Sequence, residues 1–147
     1  MILAFLLGCV LVVLTIGIHY EVLQALWWSL PRLTIPPRLR MLVVILVAFL
    51  AHAAEITLYA GAFYFLRDKF QLGSFSGAFT DSFSSFIYFS AESYSSLGMG
   101  DIFPVGPLRM VTGIESLNGL ILIAWTASFT YMAMEKYWRL ESGPADA

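Results

Sequence analysis

The stretch AESYSSLGMGDIFP, residues 91–104, lies between two long apolar segments and is unlike either. It holds Gly98 and Gly100 at alternate positions, the adjacent serines Ser95 and Ser96, and a carboxylate on each side, Glu92 and Asp101. Glycines spaced in this way let an extended strand enter left-handed backbone angles that L-residues resist. Such a strand aims successive carbonyl oxygens to one side. Several copies around an axis would form stacked oxygen rings able to replace a cation's hydration shell.

The rest of the chain supplies a setting for that strip. Of 147 residues, 59% are hydrophobic and 12% are charged, against about 25% charged in an average soluble domain. This composition indicates a membrane protein embedded in a lipid bilayer. A net charge of −2 without a basic run argues against nucleic acid as a partner. The single cysteine, Cys9, lies in an apolar run and reads as a small hydrophobe, with no disulfide or cysteine zinc site to form.

Three segments reach the roughly 20 apolar residues that a spanning helix needs. The first occupies residues 1–28 and has no charge from Ile2 to Ile18. Its lack of a basic leader and cleavage site marks it as a retained helix, not a signal peptide. The second occupies residues 41–66 and the third residues 108–136. The link at residues 29–40, SLPRLTIPPRLR, has three prolines, which stop helices, and Arg32, Arg38 and Arg40 with no acid. The positive-inside rule assigns it to the cytoplasm. The N-terminus is then outside, and the third span returns Lys136 and Arg139 inward with a short tail, residues 137–147, on the cytoplasmic side. Trp27, Trp28, Tyr137 and Trp138 are expected as anchors at the inner interface.

Residues 67–107 therefore lie on the outer side. The run from Arg67 to Thr80 reads as a loop. Residues 80–93 read as a short helix with Thr80 as N-cap and Asp81 in the first turn. Phe79, Phe83, Phe86 and Ser90 share one of its faces. Too short to span, it would be either a surface helix or a re-entrant one packed inside protein.

The strip, the short helix and the two flanking spans together resemble the pore domain of the tetrameric potassium channel family, over residues 41–136. The family signature T-x-x-T-x-G-[Y/F/L]-G-[D/N] is matched by SYSSLGMGD. The resemblance implies an all-α membrane protein with three transmembrane helices, a re-entrant pore helix and a selectivity-filter loop (residues 95–101), assembled as a homotetramer in the cell membrane. It also implies a passive cation channel and no enzyme. Potassium is the expected permeant ion, bound by Ser96, Leu97, Gly98, Met99 and Gly100, with no other metal or cofactor. Glu92, Ser95 and Asp101 would support the filter, and Glu92 and Asp101 would share a proton or a water.

The match departs from the signature at two positions. Ser96 replaces threonine and loses β-branched stiffness. Met99 replaces the usual aromatic, and its thioether cannot donate a hydrogen bond. These departures keep open a weakly selective monovalent-cation pore. A nonconducting scaffold or regulatory subunit is the alternative from another class.

Ionisable residues within the spans are functional suspects. His52 and Glu55 share a face of the second span, and with Glu115 they form a candidate polar network that would serve helix pairing or proton sensing. H-x-x-E also resembles half a metal site, with no third ligand in view. His19 and Glu21 are expected to face other helices. In the third span, Asn118 and Thr126 are candidates to line a cavity under the filter, and Gly113 or Gly119 to bend at a gate. Neither an arginine ladder nor a soluble regulatory domain is expected. The first helix is expected to pack peripherally against the second span.

Overall fold

The computed structural model describes residues 1–141. The end of the expected tail, residues 142–147, lies outside the described residues. Helix α1 is Ile2–Ser29, α2 is Pro37–Asp68, α3 is Phe83–Tyr94 and α4 is Leu108–Glu141. Two short strands, β1 at Ser74–Gly77 and β2 at Ile102–Val105, flank α3 in sequence. Three helices are long and apolar enough to cross a membrane: Ile2–Arg32, Pro37–Asp68 and Leu108–Trp138. The protein is an all-α membrane fold, and the expected span boundaries shift by a few residues. α2 starts four residues earlier than expected, because Pro37 occupies the first helical position, where its missing N–H costs nothing.

Helix α1 buries Ala4, Gly8, Leu11, Thr15, His19, Leu23 and Leu26, a stripe at three- and four-residue spacing. Its other faces leave Leu6, Val10, Val13 and Leu14 exposed, which suits lipid and not water. The buried stripe meets both neighbours. Gly8 lies against Ile114 of α4, and His19 bonds Glu55 of α2 and Thr126 of α4. α1 therefore packs against the second span, as expected, and also against the third, sealing the seam between α2 and α4. Glu21, also expected to face a helix, is exposed.

Two apolar clusters hold the bundle. One joins Tyr59, Phe63, Phe86, Phe89, Leu108 and Leu122, and the other Leu23, Leu26, Val44, Phe129 and Tyr137. On α1 and α2 the buried polar residues Thr15, His19 and Glu55 fall between these clusters, whereas Glu115 and Asn118 of α4 lie between Val111 and Leu122 of the first. At the end bearing the α1–α2 link, Arg32 donates to the Trp28 carbonyl (2.9 Å), capping α1. Arg40 donates to the carbonyls of Leu33 (2.9 Å) and Ile35 (3.2 Å), which closes the proline link. Lys136 lies 4.2 Å from the Trp27 ring centroid and Arg40 5.2 Å from that of Tyr137, so basic and aromatic residues gather at this end.

Two expectations for the opposite end are corrected. The run after Arg67 contains β1, which pairs antiparallel with β2, Gly77 opposite Ile102 and Ser74 opposite Val105. The short helix begins at Phe83, not at Thr80, and has no acid in its first turn. Asp81 is drawn away by Arg67 (2.6 Å), and the Thr80 hydroxyl bonds that of Ser85 (2.7 Å). Arg67 also lies over the rings of Phe86 (4.7 Å) and Phe79 (5.2 Å), so one guanidinium ties the end of α2 to the start of α3.

Gly119 sets how closely α3 approaches α4. A Cβ built there would overlap the carbonyl of Tyr94, whereas one at Gly17 meets nothing. Gly119→Val is expected to destabilise the protein by about 1–3 kcal/mol, the usual range for overpacking. Gly17→Ala is expected to be neutral or slightly stabilising. Thermal unfolding of the two detergent-purified variants checks the contrast.

Candidate functional site

The strand at residues 95–101 begins where α3 ends, and the exit is tightly hydrogen bonded. Ser95 N–H donates to Ala91 O (3.1 Å), Ser96 N–H to Ser93 O (3.1 Å) and Leu97 N–H to Glu92 O (3.0 Å). These contacts consume the last carbonyls of α3 and turn the chain away from the helix axis. The Ser95 hydroxyl also bonds back to Ala91 O (2.7 Å), so its support of the strand runs through the helix end.

Backbone φ is then positive at alternate residues: +56° at Ser96, +61° at Gly98 and +76° at Gly100. The two glycines behave as their spacing predicts. Ser96 joins them, although a left-handed angle costs an L-residue about 1–2 kcal/mol. Such an angle is a marked outlier for a β-branched side chain, which gives a physical reason for serine over threonine here.

Side chains of α3 brace this strand. The buried Glu92 accepts the Gly100 N–H at Oε1 (2.8 Å). Tyr88, one helical turn earlier, donates from its hydroxyl toward Met99 Sδ (3.1 Å) and the Asp101 carboxylate (3.2 Å). Glu92 and Asp101 thus take different protein donors, the Gly100 N–H and the Tyr88 hydroxyl. The sequence reading passed over Tyr88, although its i, i+4 relation to Glu92 puts both on one face of α3. Beyond Asp101 the chain enters β2 at once, and Asp101 O accepts the Ala78 N–H (2.8 Å), so the ribbon anchors the outer end of the strand.

Behind α3 lie two buried carboxyl groups. Glu115 of α4 accepts the Ser90 hydroxyl (2.5 Å). Glu55 of α2 accepts the hydroxyl of Tyr94, the last residue of α3. Glu55 also contacts His19 Nδ1 (2.9 Å) and His52 Nδ1 (3.3 Å). The expected set of His52, Glu55 and Glu115 therefore divides. His52 and Glu55 join His19, Tyr94 and Thr126, and Glu115 acts separately with Ser90. The missing partner, His19, lies 36 residues from Glu55 in sequence, and its only signal was its place in the apolar first helix.

The candidate cavity residues of the third span turn inward. The Asn118 amide donates to Thr15 (2.8 Å) and Tyr59 (3.2 Å) and is buried. Thr126 contacts His52 Nε2 (2.9 Å) and His19 Nε2 (3.1 Å). Both serve contacts within one chain, Asn118 buried and Thr126 half-buried. α4 runs as one helix through Gly113 and Gly119; Gly119 permits close packing, and a Cβ at Gly113 would meet open space.

Among known protein families, residues 41–136 match one described as an ion channel family. No curated protein matches the chain, and no solved structure does.

The Glu92–Gly100 bond is testable directly. Glu92→Ala removes the acceptor and leaves the Gly100 amide without it, a loss of about 1–3 kcal/mol. Hydrogen exchange at Gly100 is expected to accelerate by at least about tenfold in this variant, with exchange in α2 and α4 unchanged.

Proposed function

The chain belongs to this ion channel family, and on that premise we propose that it is a passive, potassium-selective channel whose filter is the strand at residues 95–101. One observation carries the reading: positive φ at Ser96, Gly98 and Gly100, directly after a short helix, with the strand braced from behind by Glu92. The carbonyls of Ser96, Leu97, Gly98 and Met99 act as ion ligands, and the Ser96 hydroxyl adds an inner site. Gly100 makes the outer turn. The C-terminal end of α3, with its partial negative charge, favours a cation nearby.

One chain contributes one strand, so a closed ring needs further copies, and we assign four in a homotetramer. Leu97 and Met99 are 63% and 64% exposed in the single chain. Apolar side chains at that position call for cover, and neighbouring subunits provide it. The α1–α2 link, with its arginines, faces the cytoplasm, and the strand faces outside. α3 is then a re-entrant helix, tolerated at membrane depth because it is packed in protein.

The assembly mass in detergent is expected to correspond to four chains. In liposomes or planar bilayers, the reversal potential in mixed potassium and sodium is expected to follow potassium. Equal permeabilities would overturn potassium selectivity and identify a weakly selective pore, and absence of flux would identify a nonconducting scaffold. Gly98→Ala puts an L-residue at a left-handed position, at a cost of about 1–2 kcal/mol per filter strand. Potassium current is expected to fall by at least about tenfold while the tetramer persists.

A further inference from the structure

We propose that His19, His52 and Glu55 form a binding site for a divalent first-row transition ion of the zinc type, in the polar layer where α1, α2, α3 and α4 meet. One ligand atom from each of the three residues lies within 4.8 Å of the others. His19 and Glu55 are fully buried, and the His52 side chain is 17% exposed, which leaves one side open for entry. Two imidazoles and a carboxylate are a donor set that zinc favours. The inference stands apart from conduction and requires only the folded chain.

The hydrogens of the cluster carry the argument. Six contacts link His19, His52, Glu55, Tyr94 and Thr126. With Glu55 ionised and both rings neutral, each ring and each hydroxyl supplies one hydrogen, four in all. His19 Nδ1–H donates to Glu55, which leaves His19 Nε2 to accept the Thr126 hydroxyl. Thr126 Oγ1 then accepts His52 Nε2–H. This leaves His52 Nδ1 as a bare lone pair, 3.3 Å from Glu55 Oε2, with the single Tyr94 hydrogen to serve both. With both rings neutral, a positive charge at that point would complete the set. Among the described residues, the only basic groups paired with Glu55 are the two histidines themselves.

A divalent ion completes the set. Bound to Nδ1 of both rings and to a Glu55 oxygen, it places each ring hydrogen on Nε2. Thr126 Oγ1 lies 2.9 and 3.1 Å from those two nitrogens and accepts both bonds. This is the outer-shell contact that orients metal-bound histidines. Tetrahedral ligands at about 2.0–2.1 Å stand roughly 3.3 Å apart. The Nδ1–carboxylate contacts are 2.9 Å to Oε1 for His19 and 3.3 Å to Oε2 for His52, and the three ligand atoms lie within 4.8 Å of one another, so closing on one ion draws them together by at most roughly 1.5 Å. The Tyr94 hydroxyl, 2.8 Å from His52 Nδ1, stands beside the fourth position.

The test uses the full chain in lipid nanodiscs, stripped by chelator, loaded with Zn²⁺ or Co²⁺ and dialysed. One metal ion per chain is expected. The zinc X-ray absorption edge is expected to show two imidazoles and an oxygen at about 2.0–2.2 Å, and Co²⁺ should give the intense visible bands of a four-coordinate site. His19→Gln and His52→Gln should each weaken binding by at least about tenfold, and Thr126→Val by about 10–100-fold. Metal content in the wild-type protein no higher than in the His19→Gln/His52→Gln double variant would overturn the site. So would a first shell without imidazole, which decides the matter even if the variants fail to fold. Histidines that take up a proton on acidification, in a protein that retains no metal, would assign the missing charge to a proton and overturn the metal.

Discussion

The hydrogen bond from the Tyr94 hydroxyl to Glu55 is the contact on which the rest of the structure depends. A carboxylate without exposure in an apolar bundle costs several kcal/mol unless it is paired and hydrogen bonded. Glu55 meets that demand from two other elements at once: His19 of α1 and Tyr94 at the end of α3. Thr126 of α4 then closes the ring through both imidazoles. The need to satisfy one buried acid thus fixes the register of four helices. Tyr94 directly precedes the 95–101 strand, so the same contact sets where that strand begins.

The strand is held by a second layer of constraints of a different kind. Its backbone is strained at Ser96, and alternating handedness offers no regular ladder to share the cost. Stability comes from outside the strand: Glu92 on the Gly100 amide, Tyr88 at Met99 and Asp101, and the ribbon gripping the Asp101 carbonyl. Strained backbone survives where its surroundings over-determine it. The Ser90–Glu115 bond and the close contact at Gly119 keep α3 rigid against α4, so these braces act from a fixed base. In the proposed ring of four, this is the preorganisation that carbonyl ligands require to hold an ion in place of water.

Much of this was legible in one dimension. Span lengths, the proline link and the alternating glycines are local properties of sequence, and they appear close to where their chemistry predicts, although α2 takes in the end of the link from Pro37. The contacts that were missed are those between residues distant in sequence or types without a fixed role. Tyr88 looked like any aromatic on an amphipathic helix. β1 was too short and too glycine-rich to stand out, and its strand character exists only through β2. Thr80 and Asp81 form a good helix start in isolation, yet Arg67, 14 residues before Asp81, outcompetes the helix for that carboxylate. Local propensity is a weak prior where a charged partner is within reach.

Sequence alone determined that the chain is a three-span membrane protein, because an apolar run of sufficient length has no stable alternative to a helix in lipid. It also determined the left-handed positions at Gly98 and Gly100, because only glycine accepts them without strain. Which polar residues meet in the interior was decided by tertiary structure. His19 and Glu55 lie on different helices, as do Thr15 and Asn118, and only the packing angle and rotation of those helices bring them to 2.9 and 2.8 Å. A buried polar group must find a partner, but its own sequence neighbourhood does not say which one.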